Sequence, residues 1–261
     1  MNKPLPAPIM SSEVDQNTVE FFGLDFNIID ENMAVYQIRQ LEKQSGYFYV
    51  VTPNVDHIVQ LDKSTDSSLI EAYQGADMII CDSRILSFLA KRSGINLDAV
   101  PGSDLTRELL RTGRKNWRVA MIGGGSLLHK KLQTLYPDYE WVFHEPPMGI
   151  RRNLAARITI AEFIEDKKAD MVFFAIGAPQ SEITCREIAL RGKATGVALC
   201  IGASLEFLTG AKRRAPRWMQ RTGLEWLYRL GSEPRRLWRR YLVEGPKIFP
   251  IWWRWKKLKR K

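Results

Sequence analysis

Met171-Val172-Phe173-Phe174-Ala175-Ile176-Gly177-Ala178-Pro179-Gln180 is the stretch that decides the fold. Six apolar residues without a break leave no polar face, which suits a strand covered on both sides. The run stops at turn-forming residues, and Ile183–Leu190 then suits a helix. The pattern recurs along the chain. Tyr47–Val51 leads into Thr52-Pro53-Asn54, and Ala76–Cys81 into Asp82-Ser83-Arg84 with a helical stretch over Ile85–Arg92. Arg118–Ile122 leads into Gly123-Gly124-Gly125-Ser126, and Val197–Ile201 into Gly202-Ala203-Ser204. Apolar strands alternating with helices predict an α/β fold with a mainly parallel sheet. Ligands of such sheets bind at the carboxyl ends of the strands, where all these polar motifs fall.

Charge divides the chain in two. Of a net +10, residues 211–261 carry 17 Lys+Arg against 3 Glu, a net of +14, while the other 210 residues sum to −4. Six of the eight tryptophans also lie in this tail. The expected organisation is a loose polar arm over 1–20, a catalytic α/β domain over 21–210 and a basic, Trp-rich appendage over 211–261. Arg235–Leu242 places Leu237, Trp238, Tyr241 and Leu242 on one helical face among arginines, and Ile251–Leu258 repeats the idea. That is the pattern of a helix lying in an anionic membrane interface. Nucleic acid is the rival for such a tail, but tryptophans beside Leu and Ile on apolar faces favour lipid over stacked bases.

The first ten residues lack a secretion signal, and no apolar run is long enough to span a bilayer. A cytoplasmic protein held peripherally at the inner face of the plasma membrane is therefore expected. Cys81, Cys185 and Cys200 are odd in number and widely spaced, as expected of buried reduced thiols. Three unpaired histidines give no zinc spacing, so no metal is expected.

Asp82, beyond an apolar strand, has the chemistry of a general base. Spacing alone favours the alternative, a helix N-cap. Thr52 and Asn54 flank Pro53, whose rigid turn fixes the direction of the Asn54 amide; Asn54 also reads as a cap. Gly123 and Gly124 could offer backbone N–H groups to a phosphate, though a plain tight turn explains the triplet equally well. It is neither a dinucleotide fingerprint nor a P-loop.

Taken in order, the motifs resemble the WecG/TagA/CpsF family of bacterial glycosyltransferases. They are Thr52-Pro53-Asn54, Ala76-Asp77 with Asp82, Pro101-Gly102-Ser103-Asp104-Leu105 and Ile176-Gly177-Ala178-Pro179. The most specific follow: Arg214-Ala215-Pro216-Arg217-Trp218-Met219-Gln220, then Gly223 to Leu230, Glu233-Pro234-Arg235-Arg236 and Arg240-Tyr241-Leu242. The resemblance implies a Rossmann-like sheet of the GT-E type with a helical membrane-docking appendage. It implies an inverting transferase that moves a sugar from a UDP-sugar donor to a lipid-diphosphate-linked saccharide acceptor, without cofactor or metal. Asp82 matches the proposed base, and Thr52 and Asn54 match pocket residues. Appendage arginines, here Arg221, Arg229 and Arg236, are expected to meet the donor's diphosphate.

Three departures surround the expected pocket. Ser83-Arg84 replaces the glycine that usually follows the aspartate, Ala99 stands where an arginine is usual, and Gln180-Ser181-Glu182 replaces Lys-Gln-Glu. Arg84 is a candidate to supply the charge missing at Ala99. Gln180, Ser181 and Glu182 are carried as substrate-binding candidates, and the donor sugar is left open. The alternative is a non-catalytic membrane- or nucleic-acid-binding protein with a degenerate pocket. Whether the chain forms a homo-oligomer is left open.

Overall fold

The computed structural model describes residues 17–259, apart from the side chains of Arg217 and Arg221. Of the expected arm, residues 1–16 lie outside the described residues, and Thr18 already belongs to a strand. Strands β1 (Thr18–Phe21) and β2 (Leu24–Asn27) form an antiparallel hairpin, turned at Phe22 and Gly23 with positive φ. Six further strands follow: β3 (Tyr47–Val51), β4 (Met78–Ile79), β5 (Arg118–Ile122), β6 (Glu140–His144), β7 (Met171–Phe174) and β8 (Gly196–Cys200). They make one parallel sheet in the order β4-β3-β8-β7-β5-β6.

Helices α1 (Glu31–Glu42), α5 (Gly102–Thr112), α6 (Gly125–Leu135) and α9 (Ser204–Leu208) put their buried residues into a core on one face of that sheet. On the other face, the core is built by α2 (Val55–Lys63), α3 (Ser67–Gln74), α4 (Arg84–Lys91), α7 (Leu154–Lys167) and α8 (Gln180–Arg191). Alternation along a strand explains why both faces are apolar. In β7, Met171 and Phe173 enter the first core while Val172 and Phe174 enter the second. In β8, Val197 and Leu199 part in the same way from Ala198 and Cys200.

The appendage is helical: α10 (Arg217–Arg221), α11 (Glu225–Ser232), α12 (Pro234–Trp238), a π-helical turn (Arg239–Glu244), a 3-10 turn (Gly245–Lys247) and α13 (Ile248–Leu258). Among the described residues no helix is long and apolar enough to cross a membrane. At its base, Arg214 donates from both Nη atoms to the Asp104 carboxylate, at 2.5 and 2.7 Å. This half-buried pair ties two of the sequence motifs together and fixes where the appendage leaves the domain.

Two readings of the tail need correction. Leu237 and Trp238 do not share an environment: Leu237 is buried, whereas Trp238 and Leu242 are about half exposed and Tyr241 faces Trp226 at 6.1 Å. The π turn that follows widens the helix, so a simple 3.6-residue wheel loses phase there. Nor are all the apolar residues of the second expected interfacial helix, Ile251–Leu258, free to meet lipid. Ile248, Ile251, Trp252 and Trp255 form an i, i+3, i+4, i+7 stripe that docks on the α/β domain. The Trp255 ring stands edge-on to Phe21 at 4.9 Å and its Nε1–H donates to Glu20. The Trp252 Nε1–H donates to Ser93 Oγ at 2.8 Å, and Arg254 pairs with Asp62.

Candidate active site

The carboxyl ends of β3, β4, β7 and β8 and the inner side of the appendage enclose a cavity of about 800 Å3. That is room for a nucleotide-sized ligand with a sugar attached. Its floor is set by local folding. Asp82 follows β4 by three residues, and the adjacent Ser83 takes the N-cap of α4, its Oγ accepting from the Leu86 N–H at 3.2 Å. The cap that spacing assigns to Asp82 is thus supplied by its neighbour. The Asp82 carboxylate is left facing the cavity, where the Gly102 N–H points at it.

Gly102 shows how closely the floor converges. A Cβ there would lie 3.4 Å from Thr52 Oγ1, 3.4 Å from Ser204 Oγ and 3.6 Å from Asp82 Oδ2. Thr52 Oγ1 donates to the Cys200 carbonyl at 3.0 Å and Ser204 Oγ to that of Ile201 at 2.7 Å. Each hydroxyl has then spent its one proton, so both oxygens offer lone pairs. With the carboxylate they make a pocket of acceptors, suited to a ligand rich in hydroxyl donors.

Burial, helped by the charge of Glu225, pushes the Asp82 carboxyl up to about 7, against the Gly102 N–H, Arg229 and Arg214, which favour the anion. A carboxylate titrating there can take a proton near neutral pH. His57 is the opposite case. Its Nδ1 accepts from the Asn54 N–H at 2.9 Å, so Nε2 bears the proton, and burial with the nearby Arg240 holds its pKa at about 3. Across the cavity Arg229, Arg236, Arg240 and Lys212 come from the appendage. Arg229 stacks over Phe207 at 5.3 Å with no carboxylate at ion-pair distance among the described residues. Arg240 is steadied by Asp56 at 3.4 Å, whereas Arg236 is held by Glu233 at 2.5 Å and Lys212 by Glu206 at 2.6 Å.

A family model described as "Glycosyl transferase WecG/TagA/CpsF family" matches residues 19–261. The chain belongs to this family. It is a glycosyltransferase, and the acceptor-lined floor opposite a cationic wall is its candidate active site. Among curated proteins it is similar to the N-acetylglucosaminyldiphosphoundecaprenol N-acetyl-beta-D-mannosaminyltransferase of Staphylococcus aureus strain MRSA252. The two are 27% identical over 84% of this chain and 87% of that protein. The protein of the same name from strain MW2 is 25% identical over 87% of this chain and 91% of its own length.

Of the residues singled out in sequence, the transferase brings Thr52, Asn54, Asp82, Arg84, Gly124, Ser181, Glu182, Arg229 and Arg236 to the cavity wall. Asn54 is also the cap of α2, its Oδ1 accepting from the Asp56 N–H at 3.1 Å. Glu182 is buried, and burial pushes its carboxyl up to about 7, against its own backbone N–H and the Tyr73 side chain, which favour the anion. Two of the candidates, Gly123 and Gln180, lie off the cavity wall. The Gly123 N–H is spent within the fold, donating to the His144 carbonyl at 2.8 Å, and a Cβ there would meet Ile176 at 2.6 Å. The Gly125 N–H is likewise taken, by Glu145 at 2.7 Å, so two of the three amides in this tight turn are engaged, and Gly124 alone of the three glycines reaches the cavity wall. Gln180 lies off the cavity wall, its amide donating to the Ile176 carbonyl at 2.5 Å. The Arg221 side chain lies outside the described residues. Ser204, Arg240 and Lys212 were not singled out. Arg240 sat in a quoted motif, but nothing in the spacing told it apart from its neighbours.

Proposed function

We infer that this transferase moves a hexose or N-acetylhexosamine from a UDP-sugar to a polyprenyl-diphosphate-linked saccharide, with inversion, in the building of a bacterial surface polysaccharide. The observation that carries the reading is the two-sided cavity: oxygen acceptors around Asp82 on the floor, appendage cations opposite. The sugar lies over Thr52, Ser204 and Asp82, and the donor's diphosphate meets Arg229 and Arg240, with Arg236 at the rim. Asp82 takes the proton of an acceptor hydroxyl as its oxygen attacks the anomeric carbon. The bond from that carbon to the diphosphate oxygen breaks on the opposite face. UDP departs with the electron pair, its developing charge met by guanidiniums already in place.

The related mannosaminyltransferases are named for an undecaprenol-diphosphate-linked N-acetylglucosamine, which supports an acceptor of that class. The appendage exposes Trp218, Leu227, Trp238, Leu242, Phe249 and Trp253 among its many cations. This supports a protein resting on the anionic inner leaflet, with the domain over 21–210 and the appendage closing the site between them.

The test is a panel of UDP-hexoses and UDP-N-acetylhexosamines, incubated with N-acetylglucosaminyl-diphosphate-polyprenol in anionic vesicles and read by mass spectrometry. At least one donor should add a single sugar to the lipid, with its anomeric configuration inverted by NMR. No transfer from any donor, or a retained anomer, would contradict the reading.

A further inference from the structure

Beside the cavity runs a second, more open groove of about 650 Å3, between α4 and the appendage. The two hollows share Arg84, Ile85, Ala99, Gly223 and Phe249, so one leads into the other. Gly223, with φ at +76°, lies close beside α4: a Cβ there would sit at ordinary contact distance, 3.8 Å, from the Arg84 Cβ. One side of α4 forms the groove floor: Arg84 at the cavity end, then Ile85 and Phe88, and Lys91 at the far end. The seven steps from Arg84 to Lys91, at roughly 1.5 Å rise each, make this floor about 10 Å long.

The chemistry changes along it. Arg84 is exposed and has no carboxylate at ion-pair distance among the described residues. Beyond it, Phe88 and Phe249 are each 53% exposed, and they face a hollow rather than a packed core. Asp30, Glu31 and Asp98 also line the groove, with Asp98 3.8 Å from Lys91. Carboxylates there repel a second anion from the outer groove and leave Arg84 as the place for one.

We propose that this groove is the exit path of the lipid acceptor: Arg84 holds the acceptor's diphosphate, and Ile85, Phe88 and Phe249 cover its first isoprene units. The proposal rests on the transfer to a polyprenyl-diphosphate acceptor inferred above. Such a reaction brings two diphosphates to one site, and among the described residues the cavity presents guanidiniums with no carboxylate at ion-pair distance at two places, Arg229 on the appendage and Arg84 on the domain. Assigning the donor to the first and the acceptor to the second keeps two dianions apart. The lipid then leaves toward the exposed Phe249 and Trp253, the side from which a membrane-borne substrate would enter.

The experiment is calorimetric titration of the full chain with farnesyl diphosphate and, separately, with UDP. The wild-type protein should bind both. Phe88→Ser should weaken farnesyl diphosphate about tenfold and leave UDP unchanged, which also shows that the variant is folded. Arg84→Ala should weaken farnesyl diphosphate more than it weakens UDP. If the wild type binds UDP but not farnesyl diphosphate, or if neither substitution changes farnesyl diphosphate binding, the groove is not the lipid path. A wild type that binds no UDP would instead overturn the donor assignment on which the proposal rests.

Discussion

At the residue scale the site turns on a division of labour between Asp82 and Ser83. Both residue types cap helices well, and spacing alone favours Asp82 for that role. The hydroxyl of Ser83 takes the cap, and the carboxylate of Asp82 stays in the cavity. That placement has a thermodynamic cost. The folded protein raises the Asp82 pKa to about 7, against about 4 for an unfolded aspartate. The fold therefore disfavours the anion, and stability is lost as pH rises from about 4 to about 7. Asp82→Asn removes that loss. Because the carboxyl is partly open to the cavity, the gain should be on the order of 1–3 kcal/mol at pH 8, shrinking as pH falls toward 4. Urea unfolding of both proteins at several pH values checks this, and a pH-independent difference would remove the buried-charge account. Asp82, Thr52 and Asn54 were legible because they end apolar strands. Ser204 was not: its role comes from converging with Gly102, which lies about a hundred residues away in sequence.

At the element scale α13 shows what an amphipathic pattern does and does not say. The stripe of Ile248, Ile251, Trp252 and Trp255 reads identically whether its partner is lipid or protein, because both are apolar. Here the partner is Phe21 and the core beneath it, while Phe249, Trp253 and Leu258 remain outside. The Lys257 ammonium sits 3.4 Å from the centre of the Trp253 ring. The two faces should separate in experiment. Trp252→Ala removes a packed ring and its hydrogen bond to Ser93, and should cost about 2–3 kcal/mol of stability. Trp253→Ala should change stability by no more than about 0.5 kcal/mol, yet weaken sedimentation with anionic vesicles several-fold. The reverse pattern, a destabilising Trp253→Ala with normal vesicle binding, would place the membrane face elsewhere.

At the scale of the whole molecule, the parallel sheet was legible because its strands are buried on both faces and write themselves as unbroken apolar runs. The β1–β2 hairpin and the edge strand β6 were not. In Glu140–His144 only one edge is paired and no residue is fully buried, so the run lacks the apolar signature. The appendage was visible as charge and tryptophan, but its attachment was not. The Asp104–Arg214 pair and the docking of α13 make it a wall of the candidate active site as well as the surface proposed to face the membrane. Deleting residues 211–261 would therefore bare the apolar surface around Phe21 as well as remove cations, so point substitutions separate the two roles more cleanly. The central claim is that this wall and floor perform glycosyl transfer with Asp82 as base. It is tested most directly by the initial rate of transfer from a UDP-sugar to a polyprenyl-diphosphate-linked acceptor in anionic vesicles, measured from pH 6 to 9. The wild-type rate should climb to a plateau above about pH 7, with Asp82→Asn folded and at least about 100-fold slower throughout. A folded Asp82→Asn protein within tenfold of wild type, with the same pH profile, would contradict the account.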